Sequence, residues 1–243
     1  MTELQQILLQ IGLQIFIAFV LIAMISFFSM TQSKNLVVVY FIFFVATIGA
    51  YFVPRIGFFE NYRMNWQGQM LVILLSIGVV FLTNFLTPKQ AGFTFNIRKT
   101  VWLPLVILSI LGIVFNVYVR GFEGISTTKE YLFYQLTMPG IAEEMAFRGV
   151  LLGLLNLVFI TKRNILGAKI GWGGVILSLA FGLGHSVYFD KHQHLQFSQD
   201  AFWVTTILAA VMTYLKEKGE SIIPSIIFHN IYNASLPLIK LFM

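Results

Sequence analysis

VWLPLVILSILGIVFNVYV, residues 101–119, carries no charged side chain. A hydrocarbon core about 30 Å thick needs roughly 20 predominantly apolar residues in a helix, so this stretch reads as a membrane span. It is not isolated. Similar runs lie at 11–30, 36–53, 70–86, 131–160, 170–188, 201–215 and 222–242, bounded by charged or turn-forming residues. Hydrophobic residues make up 58% of the 243 positions and charged ones 11%, against roughly 25% charged in an ordinary soluble domain. The chain is therefore expected to be an all-α polytopic membrane protein with about eight transmembrane helices. No repeat or linker divides it, which predicts a single integral membrane domain over 1–243. Within it, 1–120 reads as scaffold helices and 129–243 as the core that carries the motifs, with a catalytic cavity among the C-terminal four helices.

Glu3 sits where a signal peptide would be positive, and the first run has no small-residue cleavage site after it, so a retained helix is expected there. The net charge is +6, but the basic residues are scattered among loops. That distribution fits anionic lipid head groups and excludes a nucleic-acid face. Counted in alternate loops, Lys34, Lys89, Arg98, Lys99, Lys162, Arg163, Lys169, Lys216 and Lys218 fall on one side, and Arg55, Arg63, Arg120, Lys129, Lys191 and Lys240 on the other. The positive-inside rule puts the first set in the cytoplasm by nine to six. Cysteine is absent, which removes disulfides, thiolate nucleophiles and cysteine-held zinc together. Any chemistry must come from oxygen and imidazole.

The fifth run is longer than one crossing and is interrupted by Pro139 and Gly140, which predicts a break or kink just before Glu143. Glu143, Glu144 and Arg148 follow at membrane depth. Ionisable groups there cost roughly 2.5 to 3.5 kcal/mol each on insertion scales and need partners or water. Glu144 and Arg148 are four apart and can neutralise each other on one helix face. Glu143 points about 100° away from Glu144 and has no basic residue at i+3 or i+4. A carboxylate stripped of water holds a proton more tightly, as a general base working near neutral pH must. The alternative is a buried ion-pair cluster that only staples helices.

Two further constellations follow. In FGLGHS, His185 lies one turn after Phe181, and Gly182 and Gly184 leave thin walls. Alone, His185 reads more readily as a hydrogen-bonded packing residue than as a catalyst. In IIFHNIYNAS, His229 and Asn233 share a helix face and could donate to a developing oxyanion or simply bond each other. Asn230 faces elsewhere and reads as a packing or loop contact, while His192 and His194 sit in a polar loop. G-x-S-x-G and H-E-x-x-H are both absent. Water activated by Glu and His, with or without a metal, is the chemistry left.

EEMAFR (143–148), FGLGH (181–185) and HNIYN (229–233) are similar, in that order, to the E-E-x-x-x-R, F-x-x-x-H and H-x-x-x-N motifs of the CPBP family, also called the Abi or CAAX protease type II family. The resemblance covers roughly the last hundred residues. It implies an eight-span intramembrane protease in which Glu143 activates the water and His185 assists. His229 and Asn233 would hold the oxyanion, with Glu144 and Arg148 as the supporting pair. It leaves open a glutamate-dependent route without metal and a Zn²⁺ route with Glu143, His185 and His229 as candidate ligands. Family members trim prenylated proteins or, in bacteria, take part in bacteriocin immunity and pheromone maturation. The short chain resembles the bacterial type, which implies a multi-pass protein of the cell membrane acting on a hydrophobic peptide or membrane-anchored protein. The alternatives are a non-catalytic immunity or sensor protein that binds a partner in the same cavity, and a proton-coupled transporter.

Overall fold

The computed structural model describes residues 3–28, 34–54, 56–190 and 194–243; Arg55, Lys191 and His192 lie outside the described residues. Helices dominate: α1 (Glu3–Phe28), α2 (Lys34–Tyr51), α3 (Trp66–Leu82), a single-turn α4 (Pro88–Ala91), α5 (Trp102–Arg120), α6 (Lys129–Glu143), α7 (Leu152–Val158), α8 (Trp172–Ser186), α9 (Gln199–Gly219) and α10 (Ile223–Leu241). Local chemistry sets several of the boundaries. Asn65 caps α3 by accepting from the Gly68 N–H at 3.1 Å, and Thr87 and Gln90 close a reciprocal capping box on α4. Glu220 ends α9 in the left-handed region.

The all-α expectation holds for the bulk of the chain, with two small additions. β1 (Lys162–Ile165) pairs antiparallel with β2 (Ala168–Gly171), and β3 (Val187–Phe189) with β4 (Leu195–Phe197). The first hairpin turns through Leu166 and Gly167, both at positive φ (50° and 85°). Consecutive positive φ angles are what a two-residue hairpin with native twist requires.

α5 is built inside out relative to a soluble helix. Leu105, Ser109, Gly112 and Asn116 face inward, whereas Leu103, Val106, Ile110, Val114 and Tyr118 are exposed. In lipid, packing is driven by small residues and interhelical hydrogen bonds rather than by apolar burial. Accordingly Gly112 abuts Phe228 of α10, and Asn116 Nδ2 donates to the Tyr232 carbonyl at 2.9 Å and to Ser235 Oγ at 3.0 Å. Among the described residues, Lys99–Arg120 is the one helix that is long and apolar enough by itself to cross a membrane. Ile11–Ala23, Asn35–Tyr51 and Trp66–Leu82 are apolar but shorter.

The larger apolar core joins α1, α2, α3, α7 and α8, and a smaller one joins α5, α9 and α10. Several segments from distant parts of the chain meet at one end of the fold. The Arg98 N–H donates to the Gly219 carbonyl, Ile222 to that of Gly92, and Asn156 Nδ2 to Glu217 Oε1. Burial alone would raise the Glu217 carboxyl, but the charges of Lys216 and Lys162 and the hydrogen bonds from Lys216 and Asn156 hold it below the usual carboxylate range. Arg120 and Asp200 sit at the far ends of α5 and α9, away from this cluster.

Candidate active site

Of the break or kink expected at Pro139 and Gly140, a break is not found. α6 runs through both, and residues Glu144–Leu151 continue directly as a π-helical segment into α7. Proline removes one backbone donor, and the next donor finds a partner outside the helix: Gly140 N–H gives its hydrogen bond to Asn230 Oδ1 of α10 at 2.9 Å. Asn230 is thus the clamp that lets a proline-bearing helix stay whole. The wider turn then begins at Glu144, a form of helix that recurs at functional sites.

Glycine is required at 140 by this close approach. A Cβ there would touch Asn230 Oδ1 and lie 2.6 Å from its Cγ. Gly140→Ala should therefore destabilise the protein by about 1–3 kcal/mol through overpacking, measured as thermal unfolding in detergent. Adding Asn230→Ala should return part of that loss, because it removes the side chain that the new Cβ meets.

Glu143, His185, His229 and Asn233, from α6, α8 and α10, line one cavity of about 410 Å³. Its walls are largely apolar, with Phe181, Leu208, Met212 and Phe228, and Arg120 and Asp200 also border it. Glu143 is half-buried rather than sealed and forms no ion pair within the described residues. A second cavity of about 290 Å³ lies against Glu143, Phe181 and His185 and is completed by Gln14, Tyr51 and Gln69. Helices from the N-terminal half therefore also reach the site.

Each imidazole is oriented by its Nδ1. His185 Nδ1 lies 2.8 Å from the Phe181 carbonyl, one turn back in α8. A carbonyl can only accept, so Nδ1 carries the proton and Nε2 is left as a base toward the cavities. The Phe181 ring packs against the imidazole with centroids 4.4 Å apart. Gly184 admits α1, whose Gln14 Nε2 donates to the Gly184 carbonyl at 2.7 Å. His229 Nδ1 bonds Glu144 Oε1 at 2.9 Å, which turns its Nε2 to the first cavity.

Glu144 and Arg148 do not line the cavity. Both are fully buried behind it, with Arg148 Nη1 on Glu144 Oε1 at 3.1 Å. Arg148 Nη2 donates to the Ala209 carbonyl at 3.3 Å, and the guanidinium lies 4.7 Å from the Phe181 ring centroid. The pair thus joins π segment, α8, α9 and α10, and positions both histidines from behind. His194 is exposed in its loop, 3.8 Å from Asp190.

Among the described residues, no three His, Asp or Glu side chains converge as a set that could hold a metal ion. Glu143, His185 and His229 border one cavity without forming such a set. The chemistry available is that of a carboxylate, an imidazole base, and two donors facing them across one cavity.

Residues 125–235, just under half of the chain, match the family model described as Rce1-like, type II CAAX prenyl endopeptidase. This is the CPBP family that the three motifs resemble, an integral membrane protein family, and all seven motif residues fall within the matched segment. Searches of curated proteins and of solved structures returned no match.

Proposed function

We propose that this chain, a CAAX-type intramembrane protease by family, spans the membrane with its eight apolar runs and hydrolyses a peptide bond without a metal. Four polar side chains from three separate helices on one cavity is the observation that carries the reading. A water held between Glu143 and His185 Nε2 gives up a proton as its oxygen attacks the peptide carbonyl carbon. The carbonyl oxygen becomes an oxyanion on the other side, where Asn233 Nδ2 and the protonated His229 Nε2 donate to it. Collapse breaks the C–N bond, and the proton taken from water passes to the leaving amine. Glu144 balances the charge on His229 through Nδ1 and keeps Nε2 aimed at the oxyanion.

The substrate that suits these walls is an apolar, extended segment of a membrane-associated peptide or protein. Helical peptide bonds are closed to attack, so the segment must unwind before it enters. Asn233→Ala and His229→Ala should each lower kcat by about 10²- to 10³-fold, the cost of one oxyanion donor, while KM changes little. The assay is cleavage of a hydrophobic peptide by purified protein, followed by mass spectrometry with a metal chelator present. A KM effect with unchanged kcat would make these residues substrate contacts. Loss of wild-type cleavage on chelation would move the reaction to a metal route.

A further inference from the structure

Two cavities meet at Glu143, Phe181 and His185, and they differ in what else lines them. His229 and Asn233 border the first alone, so a carbonyl whose oxygen they hold must lie there. The second lies on the other flank of the acid and base. Gln69, buried at 4% exposure, borders it with Oε1 unpartnered among the described residues, although its Nε2 is engaged by Tyr134. Tyr51 borders it too, and its buried hydroxyl is likewise unpartnered among the described residues. Gln14 reaches the same space and is anchored to α8. The rest of the wall is largely apolar, with Phe44, Ile48, Phe52 and Phe147, so water in this space would be anchored by these polar groups and by Glu143 and His185.

We propose that this second cavity is a water chamber that supplies the nucleophile to Glu143 and His185 from behind the substrate. The proposal rests on the hydrolytic reading above. Each cleavage consumes one water: its oxygen forms the new C–O bond, one proton goes to Glu143, and that proton leaves with the amine as the C–N bond breaks. A peptide seated in the first cavity stands between the acid and the Arg120 and Asp200 border, and it drives water out of that space. The second cavity holds about 290 Å³, and a water occupies about 30 Å³ of liquid, so there is room for several. The Tyr51 hydroxyl can donate or accept, whereas Gln69 Oε1 can only accept. Between them they can order a short file of water ending at Glu143 and His185.

The test is hydroxyl-radical footprinting of the full chain carrying Glu143→Gln, with and without a bound, uncleaved hydrophobic peptide. Tyr51 is expected to be oxidised to the same extent in both states. Protection of Tyr51 by the peptide would overturn the proposal and make the chamber a substrate pocket; no oxidation in either state would overturn it as a dry cavity. In the otherwise unchanged protein, Tyr51→Phe and Gln69→Leu should each lower kcat on the order of tenfold with KM unchanged. A rise in KM with kcat retained would likewise overturn it. If the wild-type chain cleaves no peptide at all, the hydrolytic reading fails by itself, and Tyr51 oxidation still reports whether the chamber is wet.

Discussion

Glu143→Gln is expected to lower peptide hydrolysis on the order of 10³- to 10⁴-fold, the upper range for loss of a positioned general base, while leaving the fold and peptide binding intact. The substitution keeps size and shape but removes the proton acceptor. Glu143 forms no ion pair or hydrogen bond with any described residue, and it borders two cavities. Its replacement should therefore shift stability by no more than about 0.5 kcal/mol, as at a site without structural partners. Retained binding with lost cleavage is the signature of the protease. Cleavage at the wild-type rate would remove Glu143 from the mechanism. Unchanged biological activity without any cleavage would favour a binding or sensor protein, and altered ion flux in liposomes would favour transport.

Arg148→Met should be the most destabilising single change near the site, by about 3–5 kcal/mol, because it leaves a fully buried carboxylate without its guanidinium partner and held by His229. Arg148 and Glu144 are both at 0% exposure and share a 3.1 Å contact, and the guanidinium also holds the Ala209 carbonyl and the Phe181 face. Replacing both charges at once, Glu144→Met with Arg148→Met, should recover much of that loss, since an apolar pair of similar volume is often as stable as a buried ion pair. Activity should not recover with it. His229 would then lack the oxygen that fixes Nδ1, and its Nε2 would no longer be aimed. Thermal unfolding and cleavage measured on the same three variants separate the two roles. Equal loss of stability in single and double variants would contradict the account of the pair.

Helical spacing made much of the site legible. The offset between Glu143 and Glu144 implies two different surroundings, and the structure gives one a cavity wall and the other a buried cluster. The four-residue step from His229 to Asn233 implies one face, and both border the same cavity. What spacing could not show is contact between distant segments. Asn230 reads locally as a packing residue, yet its role depends on a donor 90 positions away that a proline-bearing helix leaves free. Gln69 and Tyr51 carry no local pattern that separates them from other polar residues in apolar runs. Of the break or kink expected at Pro139, the break is absent for the same reason, since another element takes up the stray donor. The β1–β2 hairpin was hidden because each strand is four residues long, too short for alternation in polarity to stand out.

The most direct test of the central claim is an experimental structure of the Glu143→Gln protein with an uncleaved peptide bound. The account predicts one peptide carbonyl oxygen about 2.7–3.1 Å from both His229 Nε2 and Asn233 Nδ2, with a water touching position 143 and His185 on the opposite face of that carbonyl. A peptide bound elsewhere, or a carbonyl that reaches only one of these groups while the others face separate helix contacts, would contradict it.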